Sequence, residues 1–87
     1  MATVHLPKTL LPLFAGLDQV EQAGGATVSE ALASLDARWP GLRDRICEPG
    51  PQLRRHILVF VDQDPAALDT PVADGSRIDV ITAITGG

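Results

Sequence analysis

Two histidines, a single cysteine and eleven carboxylates are the side chains with which this 87-residue chain could do acid–base, nucleophilic or metal chemistry. His5 and His56 both fall in strand-like segments, with no carboxylate or cysteine at a relay or metal-ligand spacing. They read as solvated or hydrogen-bonded strand histidines. Cys47 stands beside Glu48, whose charge opposes thiolate formation, and no activating base accompanies it. A lone cysteine also excludes an internal disulfide, a four-thiolate zinc site and a cysteine-ligated iron–sulfur cluster. Gly24-Gly25 lacks the pattern of a phosphate loop and reads as a turn. These groups compose neither an enzyme's catalytic site nor a metal site.

The carboxyl end offers a different chemistry. Gly86-Gly87 closes the sequence, and glycine at a terminus has a plain explanation in fraying. The alternative is steric: a tail without Cβ atoms can be drawn extended through a narrow channel, carrying its carboxylate into another protein. A carboxylate is a poor acyl donor. Joined to AMP as a mixed anhydride it gains a good leaving group, which a sulfur nucleophile can displace.

The elements that would present such a tail are legible in the hydrophobic pattern. Val4 and Leu6 alternate with Thr3 and His5 in a short strand ended by Pro7, and residues 10–14 form a turn or a single helical turn. A second strand is predicted at 17–21, closing at Ala23-Gly24-Gly25 and pairing antiparallel with the first. Thr27 and Glu30 make a capping box. Behind it Val28, Ala31, Leu32, Leu35 and Trp39 form one apolar stripe of a helix, with Trp39 as core filler. Pro40-Gly41 breaks that helix, residues 42–46 add a short turn, and 48–51 is a connector.

The run 56–61 is apolar, β-branched and aromatic, which predicts a central strand covered on much of both faces. Residues 62–65 turn the chain, Leu68 and Val72 plug the core, and Asp74-Gly75 turns into a last strand from Arg77. There Ile78 and Val80 point one way while Arg77, Asp79 and Ile81 point the other. Strand, strand, helix, strand, strand predicts an α+β fold: a mixed four- to five-stranded sheet on one main helix, the β-grasp of ubiquitin. The helix is expected to return the chain to a strand parallel to the first region of the sheet. One domain spans 1–87, with a flexible tail at 85–87.

Charge narrows the partners. Residues 1–61 hold six acids and six bases, whereas 62–87 hold five aspartates against Arg77, so the net −4 lies in the last third. That surface disfavours nucleic acid and anionic lipid. The aspartates serve either solubility and turns or a basic protein partner. No apolar run reaches the ~18–20 residues of a membrane span and no signal-peptide layout opens the chain, so a cytoplasmic protein is expected.

Three stretches resemble the MoaD/ThiS family of ubiquitin-like sulfur carriers, and together the resemblance covers essentially the whole chain. Trp39-Pro40-Gly41-Leu42-Arg43 resembles the family's aromatic-Pro-Gly-Leu-Arg stretch. Leu68-Asp69-Thr70-Pro71-Val72-Ala73-Asp74-Gly75 resembles its approach to the last strand, and residues 78–87 resemble its apolar last strand and diglycine end. The resemblance implies that an E1-like adenylating enzyme uses ATP on the Gly87 carboxylate, with Gly86 and Thr85 threading the tail. A sulfur donor protein or sulfide then makes a thiocarboxylate, and a sulfur-accepting synthase consumes it, as for the small subunit of molybdopterin synthase. No cofactor is bound by the carrier, which is a co-substrate and not an enzyme.

The family's partner-binding patch maps by alternation onto Ile81 and Phe60, with Pro7 and Pro65 nearby. Two departures are visible. Thr82 stands near where the family often has a proline, and Asp62-Gln63-Asp64-Pro65 replaces a common Asn-Gly turn, which predicts a longer loop instead of a tight primed turn. Two other functions suit the same chain: a ubiquitin-like interaction module whose tail is never activated, and a modifier conjugated to other proteins through Gly87.

Overall fold

The computed structural model describes residues 1–50 and 52–83. The alternation around Val4 produces β1 (Ala2–His5), with Ala2 and Val4 buried. After Pro7 a 3-10 helix (Lys8–Leu13) buries Leu10 and accommodates Pro12. The second strand, β2 (Val20–Ala23), begins three residues later than the predicted 17–21. The reason is how the apolar residues are used. Leu17 is buried as a plug in the connection, while the small Ala23 is the strand's fully buried residue, opposite Ala2.

Helix α1 (Val28–Arg38) starts where the capping box places it. Thr27 Oγ1 accepts the Glu30 N–H at 3.2 Å, and Glu30 Oε1 accepts the Ala26 N–H at 3.1 Å. Two further N–H groups of this end, from Val28 and Ser29, donate to the carbonyls of Thr70 and Leu68. The irregular crossing that carries half-buried Leu68 and Val72 is thereby tied to the helix. Val28, Ala31, Leu32 and Leu35 face the core. Trp39 caps the carboxyl end, half-buried, its Nε1–H donating to the Ala15 carbonyl at 3.1 Å with Arg38 over the ring.

Gly41, at φ 95°, admits the reversal into α2 (Leu42–Ile46). Asp36 Oδ1 accepts the N–H groups of Gly41 and Arg43 there, at 3.1 and 3.0 Å. The expected connector contains a small antiparallel pair, β3 (Cys47–Glu48) with β4 (Gln52–Leu53).

The main sheet adds β5 (Ile57–Val61), β6 (Asp64–Ala66) and β7 (Arg77–Thr82), in the order β2-β1-β7-β5-β6. β1 runs antiparallel to β2 and parallel to β7, and β5 runs antiparallel to both its neighbours. The strand parallel to the first is therefore the last one, and β5, reached through the helices, runs against β1. The helices cover one face only. Ile57 and Val59 are buried while Leu58 between them is 47 % exposed, so β5 is not covered on both sides.

The turn after β5 also differs from expectation. Val61 pairs with Asp64, leaving only Asp62-Gln63 between the strands, at φ 48° and 75°. Two positive φ values mark the primed hairpin turn whose twist matches its strands. Asp62 is held from across the sheet: its N–H donates to the Arg77 carbonyl at 2.8 Å and its Oδ1 accepts the Arg77 N–H at 2.9 Å.

Candidate functional site

β7 runs through the middle of the sheet and carries the chain toward its carboxyl end. Ile78 and Val80 point into the core, essentially inaccessible, and Ile81 points the other way at 44 % exposure. Register places Leu58 opposite Ile81, and Phe60 opposite both Asp79 on β7 and Pro65 on β6. Ile81, Phe60 and Pro65 therefore share the open face, with Phe60 half-buried and Pro65 exposed at the edge strand. Pro7 lies on the other side of Ile81, where the two residues line one shallow groove with Lys8 and Thr82.

Leu58 completes this patch and is absent from the sequence reading. The signal was present: the alternation that turns Phe60 outward also turns out the residue two places before it. Exposed apolar side chains on neighbouring strands are the physical basis of a protein-binding surface. The charges among them cancel locally, because Arg77 and Asp79 form a paired set of hydrogen bonds of 2.9–3.1 Å. Thr82 ends β7 opposite Ile57. Thr85, Gly86 and Gly87 lie outside the described residues, as does the expected tail at 85–87.

The remaining reactive groups are placed in structural roles. Cys47 is buried, and burial itself is the main cause that raises its thiol pKa, with Arg43 partly opposing it. Glu48, expected to be that cause, is not among the groups acting on it. His56 sits exposed in the turn before β5, not on the strand, and its carbonyl accepts the Ala83 N–H at 2.7 Å. His5 lies half-buried on the open face. Among the described residues no three His, Cys, Asp or Glu side chains are grouped as metal ligands. Gly25 is a packing residue: a Cβ there would stand 2.6 Å from Glu30 Cβ and 2.9 Å from the Ala31 nitrogen.

Three of the five late aspartates have partners within the chain. Asp74 accepts a hydrogen bond from the Met1 amine at 2.7 Å, Asp79 binds Arg77, and Asp62 holds the hairpin. Of these, Asp62 forms a turn, Asp74 ties down the amino terminus and Asp79 pairs along β7. Among the described residues no helix is long and apolar enough to cross a membrane.

A helix laid across a mixed sheet, with first and last strands parallel at its centre, is the β-grasp, the fold of the ubiquitin-like proteins. The family model for the ThiS family matches residues 6–87. The chain belongs to the ThiS family of ubiquitin-like sulfur carriers. It is 29 % identical to the sulfur carrier protein CysO of Mycobacterium tuberculosis, over 98 % of this chain and 97 % of the relative. It is 32 % identical to small archaeal modifier protein 1 of Haloferax volcanii, over 79 % of each chain. Among solved structures, CysO in the Amycolatopsis orientalis BexX/CysO complex superposes with a TM-score of 0.87 at 30 % identity, covering all of both chains.

Proposed function

We propose that this protein is a thiocarboxylate-forming sulfur carrier whose Gly87 carboxylate is activated by an ATP-dependent E1-like enzyme. The carboxylate attacks the α-phosphorus of ATP and releases pyrophosphate. Sulfide then displaces AMP at the acyl carbon and leaves the thiocarboxylate; a persulfide donor would instead give an acyl disulfide, which a thiol reductant cleaves to the same thiocarboxylate. A sulfur-accepting synthase takes the sulfur from the resulting thiocarboxylate. The observation that carries this reading is the family match running through to Gly86-Gly87. The exposed Leu58–Ile81 patch beside the outgoing strand supports it, since it supplies affinity where glycines supply reach. The names of the relatives direct the proposal toward a CysO-type carrier and away from the small subunit of molybdopterin synthase.

The test is intact-mass analysis after incubation with ATP, sulfide and the cognate activating enzyme. The expected result is one sulfur-for-oxygen exchange, lost in Gly87→Ala. An unchanged mass in the wild-type chain overturns the reading. The relative named as a modifier supports a second reading, conjugation through Gly87 to lysines of other proteins. Adducts that survive reductant would establish it. With Lys8 as its one lysine, self-linkage would be confined to that position or the amino terminus.

A further inference from the structure

Folding sorts the charges to opposite ends of β7, a separation that the sequence-wide balance conceals. At the Arg77 end lie the hairpin aspartates Asp62 and Asp64, with Asp74 beside the amino terminus. At the Thr82 end a groove runs beside the point where the chain leaves the sheet. Its apolar part includes Leu10, Ile57 and Leu13, the last of them 50 % exposed. Its charged lining is Arg45 and Arg54, with Asp44 as the one carboxylate. Arg54 is held in place by its Nε–H donating to the Asp44 carbonyl at 2.8 Å. Lys8 lines the adjoining groove, and exposed Arg55 precedes His56 in the turn whose carbonyl binds Ala83. Among the described residues no carboxylate lies within ion-pair distance of Lys8, Arg45, Arg54 or Arg55.

We propose that the protein partner receiving the tail docks an acidic surface on this basic rim, with an apolar contact at Leu13. The inference rests on the carrier reading and names the charge of the partner surface. It reverses the expectation of a basic partner: Asp62, Asp64 and Asp74 lie at the far end of β7, away from a protein that docks at the Thr82 end. The same polarity orients encounter, because the acidic end repels the surface that the rim attracts, an effect that can change association rates by about tenfold or more. A polyanion such as RNA is disfavoured by the net charge of −4.

The test is thiocarboxylate formation at limiting activating enzyme across a range of ionic strength. Combined Lys8→Glu, Arg45→Glu and Arg55→Glu should lower kcat/KM by about tenfold or more and flatten its salt dependence. Asp64→Asn, a single neutralisation at an exposed position on the far hairpin, should change both far less than the rim variants do. Arg45→Glu alone, with a wild-type urea midpoint, serves if the triple variant does not fold. If the wild-type chain gains no sulfur, the carrier reading falls and the rim inference with it. If it gains sulfur and the rim variants do so at the wild-type rate, the rim inference alone is overturned. Rim-dependent retention of transfer RNA, without an effect on activation, would also overturn it.

Discussion

Leu58 and Ile81 stand opposite each other across β5 and β7, on two interior strands, at 47 % and 44 % exposure. Neither is exposed by lying at a sheet edge. Both are exposed because the helices cover only the other face. Leu58→Asp and Ile81→Asp should each weaken binding to the activating enzyme by about tenfold or more, the scale of an interface anchor. Their effect on unfolding should stay near 1 kcal/mol or below, the span of strand propensity. Titration calorimetry beside urea denaturation checks both, and unchanged binding removes the residue from the patch.

Gln63 holds φ 75° without the hydrogen bonds that fix Asp62. A side chain in the left-handed region costs about 1–2 kcal/mol, partly offset in glycine by the greater freedom of its unfolded chain. Gln63→Gly should therefore stabilise the protein by up to about 1 kcal/mol, and Gln63→Val should destabilise it. Shifts of the urea midpoint measure the two directions.

Two substitutions at the start of α1 separate capping from packing. Thr27→Ala removes one acceptor and should cost about 1 kcal/mol. Gly25→Ala forces a methyl against Glu30 and the Ala31 backbone at a φ of 130°, so it should cost more, about 2–3 kcal/mol. Equal losses in thermal unfolding would contradict this ranking.

The Asp74 carboxyl is held below its ordinary value first by the hydrogen bond from the Met1 amine and then by the amine's charge. An acid with a lowered folded pKa stabilises the fold above its unfolded value, here the ordinary 3.8, and that contribution vanishes as pH falls through the folded value. The pair is almost fully exposed, so salt should weaken it. Asp74→Asn should lower stability slightly, and in a salt-sensitive way, at pH above that unfolded value and leave it unchanged in strong acid; urea midpoints across pH check this.

Burial pushes the Cys47 thiol up, so it remains protonated at neutral pH. Iodoacetamide should label it at least about tenfold more slowly in the native protein than in urea. A thiol whose folded pKa is raised favours the fold below its unfolded value and loses that contribution as pH rises. Fast native labelling would show that this part of the core opens readily.

The features legible in the sequence are those set by neighbours along the chain. Thr27 and Glu30 lie three residues apart and mark the helix start, and Ile78, Asp79, Val80 and Ile81 alternate openly. What escaped depends on distant partners. The primed turn at Asp62-Gln63 is held by Arg77, fifteen positions away, and lacks the glycine that would announce it. β2 was misplaced because Leu17, the apolar residue that drew the strand assignment, fills a loop. The pairs Cys47–Glu48 and Gln52–Leu53 are too short for any period to show. Leu58 was concealed within a run that is apolar throughout, where only one-sided coverage by the helices separates inner from outer positions.

β7 is the sheet's keystone although, among the described residues, it comes last in the chain, lying between β1 and β5. A nascent or truncated chain that stops before Arg77 leaves both flanking strands with raw, unmatched backbone, and such edges invite aggregation and proteolysis. Closure of the sheet therefore waits on the residues from Arg77 onward, and the Leu58–Ile81 surface comes into being only when it closes: a copy able to present that surface has already passed its own folding check.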